Sequence, residues 1–537
     1  MKAHKLALLG GATLLVAGAC GRTELTPGEL AEGGAGGEGP ASEQPPVVEC
    51  TFDTDCPTED PCTPAFCHPP DDEHEVSYCA TQVTSCDDAN PCTLDACNPI
   101  DGRCTHAGPL DADHDGVLGK AREGTPASCG GPDCDDDDPR VYQGAPEICD
   151  GKDDNCDGRI DEGATYVPAG APVQIAPNSF KSEGGGFAFD GTSYGVTYTE
   201  TAPDNSTKSY LSLLDANGAV TFGPSRVNDI NADAYAGSVA TPGKGFLTTW
   251  ADARQNGSYE IYATRFDQQA RKLEPDQRLS NAPEFSLGPV AVYTSDGYAV
   301  VWDDQRFKYT TGNAVFGRTL GADGHATGEE LRLTDDGEMA DSADAAGSET
   351  RVGVAYAAQS APLPDGTPPT SVVRFRSYDA NFGDAVGPVE FGTAAQAPSI
   401  VQAGDWFVVA WHTTNLALAP GPVLYAATLD RRGNLLATGP ITTGDAFAKE
   451  RALVSLGDRV LVVWSAIPPG GAHYDLFYEI ISAKDLSVLV PRTSLVSSML
   501  HLVSPKVSLG PNGDVGIVYD THEISYQAYF THLGCKL

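Results

Sequence analysis

The chain has 537 residues, more than one hydrophobic core can serve, so two to four folding units are expected. Its formal charge of −40 at pH 7, from 74 acidic against 34 basic residues, excludes nucleic acid and an anionic membrane surface as direct partners, because both demand a basic face. More than half of that charge sits in about a fifth of the chain: residues 50–107 hold twelve acids and one base, Arg103, and residues 111–162 hold sixteen acids and five bases. Thirteen of the fifteen cysteines lie between Cys50 and Cys156, a density that points to disulfides formed in an oxidising compartment.

Residues 1–20 read as an export signal. Lys2, His4 and Lys5 precede an apolar run from Leu6 to Ala17, too short to span a bilayer. The run ends Val16-Ala17-Gly18-Ala19-Cys20, which resembles the bacterial lipobox. That resemblance implies that the Cys20 thiol is diacylated and becomes the new N-terminus; Ala17-Gly18-Ala19 also fits ordinary signal-peptide cleavage. Gly21 in place of an aspartate implies the outer membrane of a Gram-negative cell, at the surface or the periplasmic face. Acyl chains would anchor the protein without a transmembrane helix. Residues 21–49 are Gly, Glu, Ala and Pro with almost nothing to bury, a disordered tether. As a coil it reaches on the order of 30 Å.

Residues 50–107 form a candidate disulfide-rich module with Cys50, Cys56, Cys62, Cys67, Cys79, Cys86, Cys92, Cys97 and Cys104. Cys56–Cys62–Cys67 and Cys86–Cys92–Cys97 share one spacing, and Asp60-Pro61-Cys62-Thr63 echoes Asn90-Pro91-Cys92-Thr93. The stretch from Cys86 to His106 resembles the short Cys repeat of slime-mould matrix proteins, which implies an extracellular spacer. His68 and His106 beside cysteines raise zinc as a second reading, but no C-x2-C pair supports it. With few large apolar side chains, bridges must replace a core here.

Residues 108–163 are a candidate metal-binding module. Asp111, Asp113 and Asp115 precede Gly116, and Asp153, Asn155 and Asp157 precede Gly158. Alternate oxygen ligands followed by a turn glycine suit a hard cation, above all calcium. An EF-hand is excluded, because its twelfth position falls on Arg122 and no helical periodicity flanks the loop. With Asp133, Asp135, Asp136, Asp150 and Asp161, the segment resembles the MopE-type metal-binding motif and, in style, thrombospondin type 3 repeats. The MopE name is attached to copper, yet the segment has one histidine, His114, and no methionine, which favours calcium or magnesium. Cys129, Cys134, Cys149 and Cys156 would clamp the loops, and Cys535 either pairs back to the cysteine-rich front of the chain or is free. The other reading is a solvated acidic linker.

From residue 164 to 537 cysteine vanishes until Cys535, and Val, Tyr, Phe and Thr alternate between glycine turns. Apolar runs end in Tyr198, Trp250, Trp302, Tyr356, Trp411, Trp464 and Tyr519, spaced 52 to 55 residues apart. So regular a repeat of about four short strands predicts a mainly β chain ending in a seven-bladed β-propeller. The seventh unit supplies three strands, and Ala171–Ala176 reads as the fourth, closing the ring and hiding both edges. Trp250-Ala-Asp252-Ala-Arg254 and Trp302-Asp-Asp304-Gln-Arg306 faintly resemble sialidase-like propellers, although the S-x-D-x-G-x-x-W box is absent. Asp252, Arg254, Asp304 and Arg306 are a candidate ligand face, or else ion pairs between blades. His412 and His522 follow second strands and could share that face. No nucleophile motif, zincin helix or Walker loop is present.

Together these readings describe an outer-membrane lipoprotein whose calcium-stiffened stalk presents a propeller to an extracellular glycan or protein. Two alternatives are a propeller glycosidase or lyase and a metal-acquisition protein.

Overall fold

The computed structural model describes residues 49–57, 60–72, 74–108, 111–121, 126–150, 152–176, 180–255, 257–348, 350–359, 370–413, 423–441, 448, 450–522 and 525–537. The export signal, Cys20 and nearly all of the tether lie outside them. Contacts divide the chain into two compact units, one ending at Ala89 with Asp95–His106 added, the other made of Asn90–Leu94 and Ala107–Leu537.

In the first unit, two short hairpins pair Ala65–His68 with Tyr78–Thr81 and Leu94–Cys97 with Cys104–Ala107. Disulfides Cys50–Cys67, Cys56–Cys79, Cys62–Cys97 and Cys86–Cys104 close loops of 17 to 35 residues. Its buried apolar cluster is Cys50, Cys56 and Ala65, with Cys67 and Cys79 packed against it. Sulfur stands where larger hydrophobes would otherwise be, as a segment with so little apolar area requires.

The second unit is built on seven four-stranded antiparallel sheets, six of them meanders in chain order and the seventh closed by a strand from upstream. Blade 1 is Lys181–Phe189, Tyr194–Thr201, Thr207–Leu214 and Val220–Arg226; blade 3 is Ser286–Thr294, Gly297–Asp304, Ala314–Leu320 and Leu331–Arg332. Blade 7 takes His501–Leu509, Val515–His522 and Tyr526–Lys536 from the end of the chain and Thr165–Gln174 from just after the acidic module. Cys535 pairs with Tyr166 and Tyr529 with Gln174, so the ring closes as expected, with a closing strand that starts six residues earlier than the sequence suggested. No α-helix occurs among the described residues.

The repeating aromatics all sit on second strands and are fully buried; Trp250, Trp302, Tyr356 and Trp464 have 0% exposure. Second strands such as Gly297–Asp304 are buried along almost their whole length, which explains why they read as unbroken apolar runs rather than alternating ones. Neighbouring blades share cores: Leu461, Leu476 and Ile480 of blade 6 pack with Ile517, Tyr519 and Leu533 of blade 7. Fourth strands face solvent, Val220–Arg226 being exposed at most positions.

First strands line the central channel, and six of the seven carry a register shift, as between Gly184 and Phe187 or Asp341 and Asp344. Each shift leaves backbone N–H groups without a ladder partner, and the preceding blade supplies one. Asp520 accepts from the Gly184 N–H (2.9 Å), Thr199 from Ala236 (2.9 Å) and Ser238 from Ala291 (2.6 Å). Asp303 accepts from Ser342 and Ala343 (2.8 and 3.1 Å), Asp344 from Ile400 (2.9 Å) and Glu450 from Ser504 (2.6 Å). Between blades 5 and 6 the link is Arg451 Nη1 to His412 Nδ1 (2.9 Å). At Gly186 a Cβ would stand 2.2 Å from the Val239 nitrogen of the next blade, so only glycine lets the two strands approach.

The acidic module packs on the propeller face that carries the turns between first and second strands. Arg459 donates to the Ile160 carbonyl, and Gly513 lies against the Cys149 backbone. Cys149–Cys535 spans 386 residues and ties the module to the closing sheet, which settles the pairing that sequence left open. Cys134–Cys156 clamps the module itself, and Cys92–Cys129 joins its start to the preceding repeat.

Candidate functional site

Two carboxylate clusters stand out in the acidic module. In the first, ligand oxygens of Asp111, Asp113 and Asp115 lie within 4.8 Å of one another. The loop is shaped by side chains accepting from backbone two residues on, Asp113 from the Asp115 N–H (3.1 Å) and Asp115 from Val117 (2.7 Å). Gly116 adopts φ 94°, the left-handed turn that the spacing called for. Asp133 and Asp136 join from the next loop, Asp136 accepting from the Ala112 N–H at 2.9 Å. Oδ1 of Asp111 and Oδ2 of Asp113, Asp115 and Asp133 are buried and accept no hydrogen bond. Burial, with the neighbouring carboxylates, pushes the Asp113 and Asp133 pKa values up.

The second cluster is centred on residues that the spacing argument passed over. Glu147 Oε2, Asp154 Oδ1 and Glu162 Oε2 are buried without a hydrogen-bond donor. Burial raises the pKa of Glu147 and of Asp154, and Glu162 and Asp154 add to the shift at Glu147. Asn155 connects the two glutamates, its side-chain amide donating to Glu162 (2.5 Å) and its backbone N–H to Glu147 (3.1 Å). The side chains that matched the loop pattern have other partners. Asp153 accepts from the Asp157 and Gly158 N–H groups, Asp157 pairs with Arg159, and Asp150 accepts from the Lys152 N–H. Asp161 is fully buried and accepts from the Asp150 N–H (3.1 Å). Asp135 shares Lys152 with Asp138 instead of joining the first cluster.

Seven buried carboxylate oxygens without donors are costly unless a cation compensates them. The donors fit a metal, and because all are oxygen they suit a hard cation. Softer donors are already committed: all fourteen described cysteines are in disulfides, and His106 bonds Asp95 (2.8 Å) with Asp88 at 3.6 Å. His68 stacks near Tyr78. A thiolate zinc site in residues 50–107 therefore has no ligands among the described residues.

On the propeller, Asp252 and Asp304 are fully buried. Each accepts from the indole of its own motif, Trp250 at 3.0 Å and Trp302 at 3.2 Å. Arg254 pairs with Asp252 and Asp276 and covers the Tyr262 ring; Arg306 pairs with Asp304 and Glu330 and covers Phe316. All these partners lie within one blade, so the pairs brace individual blades and do not join neighbours. His412 bonds Arg451, while His522 stacks on Tyr526, so the two histidines do not converge. The central channel, about 470 Å³, is walled by all seven first strands and includes Asp344, Arg451 and Lys506. Asp344 there accepts backbone N–H groups, and burial raises its pKa.

Residues 133–162 match the MopE-type metal-binding motif, filed under copper binding, and residues 85–107 match the Dictyostelium (slime mold) repeat. The first match begins after Asp115, so the Asp111–Asp115 loop lies outside it. No curated protein matches the chain. Among solved structures, similar folds include the Trypanosoma rangeli sialidase, at 7% identity and TM-score 0.37, covering 69% of this chain and 59% of that one. An α-L-arabinofuranosidase of Fusarium graminearum has 14% identity and TM-score 0.39, covering 59% and 97%. The polysaccharide lyase Uly1 has 9% identity and TM-score 0.42, covering 70% and 94%. These glycosidase and lyase neighbours are propellers of low identity, and no activity follows from the likeness.

Proposed function

We propose that this chain is an acyl-anchored outer-membrane protein whose calcium-loaded acidic module fixes a β-propeller head for binding a glycan or protein outside the membrane. The observation that carries the calcium reading is the set of seven buried, donor-less carboxylate oxygens in a module disulfide-bonded to the propeller's closing sheet. A doubly charged, oxygen-seeking ion removes the repulsion among Asp111, Asp113, Asp115 and Asp133 and supplies the missing partners. The metal's role is structural: it holds the segment that leads directly into Thr165–Gln174. The anchor rests on the Cys20 lipobox and the binding role on the propeller face left uncovered by the acidic module.

Metal acquisition is disfavoured by the oxygen-only donors, since copper or zinc capture calls for imidazole or thiolate. Elemental analysis of the purified chain, with thermal melts in calcium and in chelator, tests the metal. Bound calcium and a melt lowered by chelator are expected; no bound calcium and identical melts would refute the stalk. Mass spectrometry of the mature N-terminus tests the anchor, which fails if Cys20 carries no acyl chain.

A further inference from the structure

The face opposite the acidic module has a second cavity, set off the propeller axis among blades 3, 4 and 5, with a volume of about 420 Å³. This lies within the ~300–1,000 Å³ range of small-ligand sites. It lies beside the register shift between Asp341 and Asp344 in the first strand of blade 4, Ala340–Gly347. Three amide side chains line it, Asn313 from blade 3, Gln359 from blade 4 and Gln396 from blade 5. None of the three side chains hydrogen-bonds to another described residue. Other polar side chains around the channel are committed to the fold, as Asp303, Asp344 and Glu450 are to backbone N–H groups of the next blade.

An amide both donates and accepts, so three uncommitted amides around one cavity match a ligand whose groups do both. Sugar hydroxyls have that character; a carboxylate or sulfate offers acceptors alone and an ammonium donors alone. The charged groups point the same way. Lys308 at the wall is matched by Glu284 at 2.5 Å, leaving Asp341 as the other charge among the described lining residues, in a chain of net charge −40 that repels polyanions. Apolar surface is present as well: Met339 lines the cavity and is 51% exposed. We propose that this cavity binds a neutral saccharide unit, with Asn313, Gln359 and Gln396 reading its hydroxyls and Met339 offering apolar surface to its C–H face.

The proposal rests on the reading of the propeller as a binding head and adds the ligand class and its place. The full chain, calcium-loaded, is screened on immobilised neutral and N-acetylated oligosaccharides alongside uronic-acid and sulfated ones, and the best probe is then titrated calorimetrically. Binding to neutral probes is expected, at least ~10-fold weaker in Asn313→Ala/Gln359→Ala/Gln396→Ala. Melting temperatures should stay unchanged, because the amides have no hydrogen bonds to other described residues to lose. Equal affinity in the triple variant overturns the site while leaving a glycan-binding head intact. Binding confined to charged glycans, or to none, overturns the proposal itself. The calcium and Cys20 measurements are unaffected by any of these results.

Discussion

The acidic module and the propeller belong to one compact unit but are held by different forces. In the propeller, Trp250, Trp302, Tyr356 and Trp464 are removed from water between sheets, and the gain is spread over seven similar interfaces. In residues 107–163 the largest fully hidden groups include Asp133, Asp154 and Asp161, and order comes from Cys134–Cys156, Cys149–Cys535 and turns built by aspartates. One region is stable because its side chains avoid water. The other buries groups that favour water, and so depends on covalent links and a counter-charge. Perturbations aimed at each source of order should therefore leave different parts of the chain damaged.

Trp302→Ala is expected to have the largest effect. The indole is wholly buried between Phe316 and the blade 2 interface and bonds Asp304. Its loss leaves a cavity and an unpaired acceptor, a cost of about 3–5 kcal/mol. Chemical denaturation should show the propeller transition shifted, with metal content unchanged. A loss of metal along with the core would mean that the two regions are less separate than their packing implies.

Breaking Cys149–Cys535 comes next. Replacing both cysteines by serine reopens a 386-residue loop and should cost about 2–5 kcal/mol. Hydrogen exchange should rise first in Thr165–Gln174 and Tyr526–Lys536, the strands beside the bridge. Faster exchange spread evenly over all blades would argue against a local closing role.

Calcium removal should act on the module alone. At a calcium concentration 100-fold above the dissociation constant the bound ion contributes about 2.7 kcal/mol. Chelator should speed exchange at Asp111–Val117 and in the segment from Glu147 to Glu162, while second strands such as Gly297–Asp304 stay protected. Uniform protection with and without chelator would mean that the buried carboxylates tolerate one another.

What sequence could reveal follows the same division. The propeller was legible because burying a second strand on both faces imposes an apolar run ending in an aromatic, and seven such runs at nearly constant spacing admit few other folds. The closing strand could be inferred because blade 7 had three strands and a single apolar stretch remained unassigned. Its true start at Thr165 was hidden, since Tyr166 and Val167 look like linker until Cys535 and Gly534 are set beside them. The acidic module was legible as chemistry but not as geometry. The D-x-N-x-D spacing at Asp153 identifies backbone turns, whereas the donor-less oxygens belong to Glu147, Asp154 and Glu162, which only tertiary folding brings near. Arg254 and Arg306 show the same limit, because whether a guanidinium meets ligand, neighbour or its own blade depends on residues some 20 positions away, Asp276 and Glu330.

The finest distinction concerns two acids inside the propeller, Asp520 buried and Asp303 half-buried. Burial pushes Asp303 and Asp520 up to about 7, although both accept backbone N–H groups from the following blade. In the unfolded chain each titrates near 3.9. A carboxyl whose folded pKa is raised holds its proton more tightly when folded, so its contribution is fully present at acid pH. That contribution declines as pH rises from about 4 through about 7. The propeller in chelator should therefore melt at lower temperature at pH 8 than at pH 5.5, the direction opposite to that of a fold held by ionised salt bridges. Asp303→Asn should flatten part of that slope. It should also cost about 1–3 kcal/mol, because one of the Ser342 and Ala343 N–H groups then faces an amide NH2 in place of an oxygen. A melting temperature that rises with pH in the parent chain, or an unchanged slope in Asp303→Asn, would mean that these carboxylates stay ionised inside the propeller. In that case the two regions would share the same dependence on buried charge.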